Sequence, residues 1–516
     1  MTLREKILKT FVVTIREINR HGGPEEFFKK YPTVGGMYYM PADGPYDEEG
    51  REMGSGMSFE TLARCRNAAP EDFLICADFA RMHNQTVSAN HRSLGSIDDE
   101  KLAYDYGKII GMQMNAHNID WVLGPSIDIL VSPTNVNAAV SDDPEYTARI
   151  YRQVVRGIQD QGICATIKHF PGLGTHNVNM HLAPGRNVLP FDEWMEIYGY
   201  AYKEINKEKP MLVMNTHTTL FSYDDSFTDG YYPSATYSKK LNEDLLRKEL
   251  GFKGAIVTDA LIMGGMSTGD LVESTAQAFK CGGDLLLWPP MEAAERIEEK
   301  ILSGEIPMSR LDEAVARIDE MIAFRKKAKE EKNYDEPNVD FVNQKSGEIT
   351  EKGICCLRNE LGLLPLSPEK HKKITILDAT DTNQKSVTLL QEELTKRGID
   401  AVISREAYDA ISEVWWQEQA DSVAEGQDMI LVVVDGNYCS KWNNTFLTIW
   451  GSHMLDKKKK VIINFGSPYF APDYFPEDPT YIEMNTGATP FAVRALAERL
   501  FGEKEFTGKS VLRRQK

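Results

Sequence analysis

Between Val34 and Lys326 the chain alternates short apolar runs with stretches of helical period, and this alternation limits the folds open to it. Apolar runs at Val34–Met40, Phe73–Ala80, Trp121–Ile129, Gly162–Ile167, Met211–Met214, Ala255–Thr258 and Asp284–Trp288 read as strands. Helical patterns fall at 2–30, 98–115, 144–161, 191–207, 238–250, 271–281, 292–302 and 310–326. Strands separated by helices imply parallel strands with crossover connections. Seven or eight strand candidates fit a (β/α)₈-like TIM barrel, with a doubly wound sheet as the other architecture.

Polar residues stand at the carboxyl ends of these runs: Asp78, Asp128, Lys168, His169, His217 and Asp259. In a barrel those ends share one mouth, although the residues are far apart in sequence. The run ending in Lys168-His169 breaks at once at Pro171, Gly172 and Gly174, which sets a Lys–His pair at that mouth.

Lys326 to Gln344 is rich in charge, Asn and Pro and has no hydrophobic period, so it reads as a linker. The chain then divides into a barrel at 1–330, a linker at 331–345 and a smaller α/β sandwich domain at 346–516. Strand candidates in the last part are Ile374–Leu377, Ala401–Ile403, Met429–Val434, Val461–Phe465 and Tyr481–Met484, forming a mostly parallel sheet. Helices fall at Lys385–Arg397 and Pro490–Phe501.

The net charge of −18 disfavours nucleic acid and anionic membranes as partners. No apolar run approaches the roughly 18 residues of a membrane span. The seven cysteines are scattered without a C-x-x-C pair, so neither a disulfide framework nor a zinc site is expected. A polar start with the look of a helix cap, and no signal peptide, point to a cytoplasmic protein.

A carboxylate closing a buried strand, as Asp259 does, is costly unless hydrogen-bonded or used. It could cap the next helix, or attack a sugar's anomeric carbon as a nucleophile. The loop from Gly174 to His181 holds two histidines five apart, His176 and His181, with no Cys or acidic ligand beside them. A loop histidine can instead give a proton to a leaving group.

Two segments carry a family resemblance. Lys168-His169-Phe170-Pro171-Gly172-Leu173-Gly174 resembles the K-H-F-P-G-x-G signature of glycoside hydrolase family 3, in its β-N-acetylglucosaminidase-like branch. Gly251 to Leu261 resembles the G-F-x-G-x-x-x-(S/T)-D-x-L segment, whose Asp is the family nucleophile. Arg358-Asn359 with Leu364-Pro365-Leu366 resembles the entry to the family's second domain.

Three positions depart from the family pattern. The Asp-x-His dyad is here Asn179-Met180-His181, the D-x-E-G-G run is Asp78-Phe79-Ala80-Arg81-Met82, and the sugar-binding Arg falls on Ala138. The resemblance implies a retaining, exo-acting β-glycosidase of β-N-acetylhexosaminidase type. Asp259 is then the nucleophile, His181 the acid/base, and Asp78, Lys168, His169, His217 and Asn179 bind substrate. Asn179 can fix the His181 tautomer but cannot stabilise its imidazolium by charge. The alternatives are a glycoside phosphorylase on the same scaffold, where neutral Asn179 repels phosphate less, and a sugar-binding homologue without catalysis. No cofactor or metal is expected. The expected partners are a small carbohydrate or glycoside and a second copy of the chain in a homodimer.

Overall fold

The computed structural model describes residues 1–40, 57–131, 139–173, 180–227, 230–266, 269–380, 384–405, 415–435 and 449–514. The first part carries strands β1 (Phe11–Val13), β2 (Gly36–Tyr38), β3 (Leu74–Ala77), β4 (Trp121–Val122), β5 (Cys164–Phe170), β6 (Gly185–Arg186), β7 (Leu212–Asn215), β8 (Thr218–Thr219), β9 (Ala255–Thr258) and β10 (Leu286–Leu287). Eight of them form one parallel sheet in the order β10-β1-β2-β3-β4-β5-β7-β9, while β6 and β8 pair separately. A parallel bridge between Val257 and Leu285, and the Thr258 N–H donated to the Leu285 carbonyl at 2.9 Å, bring the ends together into a nearly closed barrel.

Alternate residues of each strand serve two cores, as the period of two requires. Val12, Leu74, Cys76, Trp121, Cys164, Leu212, Met214, Ala255 and Val257 share one cluster with Ile318, Met321 and Ile322 of the long helix Met308–Glu331. Their neighbours Val13, Ile75, Val122, Ala165, Val213 and Ile256 pack into the other cluster, with the surrounding helices. Both faces are covered, which is why the runs are apolar throughout instead of alternating. Two buried aspartates precede strands at the opposite end from the mouth. Asp120 meets Arg66, Arg325 and Lys329; Asp284 meets Arg247, Arg310 and Arg317. Buried carboxylates persist there because each is paired with several cations.

The second sheet runs β11-β16-β15-β14-β12-β13, with β11 (Ile354–Asn359), β12 (Lys373–Thr380), β13 (Asp400–Ser404), β14 (Met429–Asp435), β15 (Lys460–Asn464) and β16 (Thr480–Met484). Strand β11 is antiparallel to β16 and the other pairings are parallel.

Two sequence expectations need correction. Residues 2–30 are not one helix: Phe11, Val12 and Val13 form the first barrel strand, between helices Leu3–Leu8 and Ile15–Arg20. Three fully buried residues, two of them β-branched, fit a strand better than a turn of helix. Most of the segment read as a linker is also helical. The helix from Met308 continues to Glu331, and another spans Val339–Lys352, capped by Asn338. Its Val342 and Ile349 are fully buried in the barrel's outer core. The charged residues there cover exposed helix faces.

Candidate active site

Strand β9 ends at Thr258, and the next residue, Asp259, stands partly buried at the barrel mouth. Its backbone N–H is held by the Asn215 carbonyl of β7 at 2.8 Å. One carboxylate oxygen accepts the Ala260 N–H at 2.8 Å, and the other accepts the Thr216 hydroxyl at 2.9 Å. Burial pushes the carboxyl up. His217, His169, the Ala260 N–H and the Thr216 hydroxyl together outweigh it and hold the group below its ordinary value. Asp259 is therefore ionised at neutral pH.

Lys168 and His169 lie where the pairing of β5 with β7 shifts register, between Ile167 and Phe170. Such an irregularity re-aims side chains at a strand end. The Lys168 ammonium contacts the Asp78 carboxylate at 2.7 Å, and the Tyr38 hydroxyl donates to the other Asp78 oxygen at 2.8 Å. Burial lowers the Lys168 ammonium, but Asp78, with Asp259 and Asp128 further off, overcomes this and holds it above its usual value. Burial and the Asp78 charge keep the Tyr38 phenol protonated, as its donor role requires.

His169 donates from Nδ1 to Asp128 at 2.7 Å, since a carboxylate only accepts. Asp128 also accepts the Ser126 hydroxyl and the Leu173 N–H, both at 2.9 Å. The ring is thereby fixed with Nε2 directed away from Asp128.

His217 departs from the substrate-binding role expected of it. It is fully buried, with Nε2 on the Ala260 carbonyl at 3.0 Å and Nδ1 on the Thr236 hydroxyl at 2.8 Å. Both ring nitrogens are taken by protein groups. The carbonyl fixes Nε2 as donor, while the Thr236 hydroxyl can either give a hydrogen bond to Nδ1 or accept one from it. Burial lowers its pKa and so favours the neutral ring, opposed by the Asp259 charge and the Ala260 carbonyl. His217 therefore braces the backbone that follows Asp259. The Thr216 hydroxyl and the Ala260 N–H support the Asp259 carboxylate whatever the charge on this ring.

His181 is exposed on the returning arm of the loop. That arm is pinned to the segment after β9: Gly264 N–H donates to the His181 carbonyl at 2.9 Å, and Gly265 N–H to the Met180 carbonyl at 3.0 Å. A side chain at Gly264 would strike the carbonyl oxygens of His181 and Leu182, so the close approach depends on glycine. The Met180 sulfur lies 3.0 Å from both the Thr216 and the Thr218 hydroxyls. Asn179, His176 and Ala138 lie outside the described residues.

The structure thus brings Asp78, Lys168, His169 and Asp259 to the strand ends of one barrel mouth, with Asp78 bonded to Lys168 and His169 to Asp128. Sequence reading assigned no role to Tyr38, Ser126, Thr216 or Thr236. Glu483, a carboxylate of β16, is buried between neighbours Cys355 and Asn464. Among the described residues neither of its oxygens makes a hydrogen bond of normal geometry, although the Asn485 side chain acts on it as a donor. Burial pushes this carboxyl up to about 7, opposed by Asn485 and Arg92. Among the described residues, no group of three or more His, Cys, Asp or Glu side chains could hold a metal ion. No helix among them is long and apolar enough to cross a membrane.

Comparison with known proteins places these features in a family. Residues 78–321 match the glycosyl hydrolase family 3 N-terminal domain. A β-N-acetylglucosaminidase/β-glucosidase of Cellulomonas fimi is 25% identical over 502 residues, covering 89% of this chain and 87% of that protein. A solved β-glucoside phosphorylase superposes with a TM-score of 0.80 at 24% identity, covering 99% of this chain and 94% of the other. The family 3 β-N-acetylglucosaminidase of Paenibacillus sp. str. FPU-7 superposes with a TM-score of 0.79 at 23% identity, covering 99% of each chain. The matched region begins at Asp78 and contains both the Lys168–His169 strand end and Asp259, so residues 78–321 are a glycosyl hydrolase family 3 N-terminal domain.

Proposed function

We propose that this family 3 glycoside hydrolase is a retaining, exo-acting β-glycosidase that removes a terminal β-linked sugar, most closely of the N-acetylhexosaminide type. The observation that carries the reading is Asp259, an ionised carboxylate at the barrel mouth with one donor fixed on each oxygen. In the first step an Asp259 oxygen attacks the anomeric carbon and the bond to the leaving oxygen breaks. That oxygen takes a proton from the His181 imidazolium. In the second step water attacks the same carbon, the glycosyl ester breaks, and neutral His181 accepts the water's proton. Lys168, Asp78 and His169 hold sugar hydroxyls, so binding energy away from the reacting bond orients the ring. The C. fimi relative, by name both an N-acetylglucosaminidase and a glucosidase, supports the substrate class.

A second reading is phosphorolysis, in which phosphate replaces water in the second step. It rests on Asn179, a neutral residue where the family's branch carries a carboxylate that would repel the incoming anion. The test is trapping with a 2-fluoro sugar bearing a good leaving group, followed by peptide mass analysis. The label is expected on Asp259; a label on another carboxylate rejects the assignment. Turnover with and without phosphate then separates hydrolysis from phosphorolysis.

A further inference from the structure

Asp128, which fixes the His169 ring, belongs to a loop after β4 that is gripped from outside the barrel. Two arms of this loop, 128–131 and 139–142, lie side by side. Asp128 pairs with Ala139 in a parallel bridge, and the Leu130 N–H donates to the Ser141 carbonyl at 2.9 Å. At its inner end the loop joins β5, where the Ile127 N–H donates to the Lys168 carbonyl at 2.7 Å. Its outer end is held by the second α/β part of the chain.

Two elements make that grip. Tyr469, a few residues after β15, donates its hydroxyl to the Leu130 carbonyl at 2.7 Å. The segment 510–514, which follows the helix Pro490–Leu500, returns to the barrel. There the Ser141 hydroxyl donates to the Val511 carbonyl at 2.9 Å. The Asp142 carboxylate, only 6% exposed, accepts the Arg513 N–H on one oxygen at 2.5 Å and the Arg514 N–H on the other at 3.0 Å. A carboxylate so buried needs donors, and both of these come from the returning segment. The Arg513 guanidinium lies 3.6 Å from the Tyr146 ring centroid and donates to the Gly95 carbonyl at 3.0 Å. Leu130, Ala139, Tyr469, Val511 and Leu512 close into a small buried cluster separate from the larger cores.

We propose that Tyr469 and the segment 511–514 are positioning residues for the sugar site, acting through Asp128 on His169. The proposal rests on the reading of His169 as a sugar-binding residue given above. Asp142 and Leu130 take the grip, the paired arms carry it to Asp128, and Asp128 sets the ring. Asp128 also accepts the Leu173 N–H at 2.9 Å, so the same arm steadies the start of the loop that leads to His181. A contact that only docked the second part on the barrel would add stability and leave the ring's orientation alone. Here the gripped arm itself holds the orienting carboxylate, and small misplacements of such groups are costly in rate.

The test is a double-mutant cycle between Asp142→Ala and Asp128→Ala, read on two β-glycosides of one sugar, with a good and a poor leaving group. Asp142→Ala alone is expected to lower kcat/KM by about tenfold or more, equally on both substrates, because the sugar and not the leaving group is misplaced. In the Asp128→Ala background the same change should cost less than about twofold, since its route to His169 is already cut. Asp142→Asn retains one acceptor oxygen and should lose less than Asp142→Ala. Tyr469→Phe removes only a hydroxyl and carries the same cycle if Asp142→Ala does not fold. Losses that multiply in full across the two backgrounds, or parent kcat/KM in both Asp142→Ala and Tyr469→Phe, overturn the proposal. Amide hydrogen exchange gives a readout that needs no turnover. In the same variants it should quicken by about tenfold at 128–131 and at Leu173. Quickening confined to 139–142 and 510–514 overturns the proposal. A parent protein inert to every β-glycoside defeats the glycosidase reading instead, and exchange then still decides the grip.

Discussion

Thr216, just after β7, donates a hydrogen bond from its hydroxyl to the Asp259 carboxylate of the adjacent strand end at 2.9 Å. A hydrogen bond to a charged group is worth about 1.5–3 kcal/mol. Without it the carboxyl rises toward its ordinary value, because burial is then less opposed. Asp259 attacks only when ionised, so a raised carboxyl loses activity at higher pH. Thr216→Val is expected to lower kcat/KM by about 10- to 100-fold and to move the acid limb of the profile upward. Thr216→Ser keeps the hydroxyl and should retain most activity. An acid limb that stays in place in Thr216→Val removes Thr216 from this role.

The pair of Lys168 and Asp78 should matter for binding more than for folding. Asp78 has 40% of its side chain exposed, so it can be hydrated when its partner is lost. Lys168→Met is therefore expected to cost little stability. It removes a positive charge that is paired with Asp78 and acts on Asp259 at longer range, where a sugar hydroxyl is to be oriented. We expect kcat/KM to fall by at least about 100-fold, with Tm within a few degrees of the parent. A collapse of Tm alongside activity makes Lys168 a structural residue instead.

The strand-end residues were legible because each closes an apolar run: Asp78 after β3, Lys168 and His169 at the end of β5, Asp259 after β9. Their supports were not. Tyr38 reaches Asp78 across 40 residues and Thr216 reaches Asp259 across 43, and hydroxyl residues leave no periodic trace. His217 looked like the others, yet only the packed structure shows both its nitrogens in use. Strand β11 was missed because its apolar residues run straight into Arg358 and Asn359, and its antiparallel partner β16 lies over a hundred residues away. The first strand was hidden inside a helical pattern that its flanking helices do carry.

Glu483 gives a prediction about stability against pH. Its folded value of about 7 lies above the ordinary carboxyl range. Below the unfolded value both states are protonated and the buried carboxyl costs nothing in linkage. As pH rises toward 7 the unfolded chain releases the proton and the folded chain retains it. Stability is therefore lost across that window, on the order of 3 kcal/mol in all. Glu483→Gln cannot ionise, so it should match the parent near pH 4 and unfold at higher temperature than the parent at pH 8. The same variant should keep full glycosidase activity if Glu483 is not the acid/base. Equal pH dependence of Tm in variant and parent contradicts the buried-carboxyl account.

The assignment of His181 can be checked by how its loss depends on the leaving group. A proton is needed at the leaving oxygen in proportion to that oxygen's basicity. His181→Ala should therefore depress glycosides of poor leaving groups by about 10²–10⁴-fold and leave those of good leaving groups much closer to the parent. With a good leaving group the first step stays fast, so the glycosyl ester on Asp259 accumulates and its hydrolysis limits the rate. Azide attacks that ester without a general base, and added azide should restore turnover and yield the β-glycosyl azide. The fold should survive, because His181 is exposed and the Gly264 and Gly265 contacts use backbone atoms only. If His181→Ala falls equally on all leaving groups, or not at all, the proton comes from elsewhere. Glu483→Gln then becomes the deciding variant: a leaving-group-dependent loss there moves the acid/base to the second sheet.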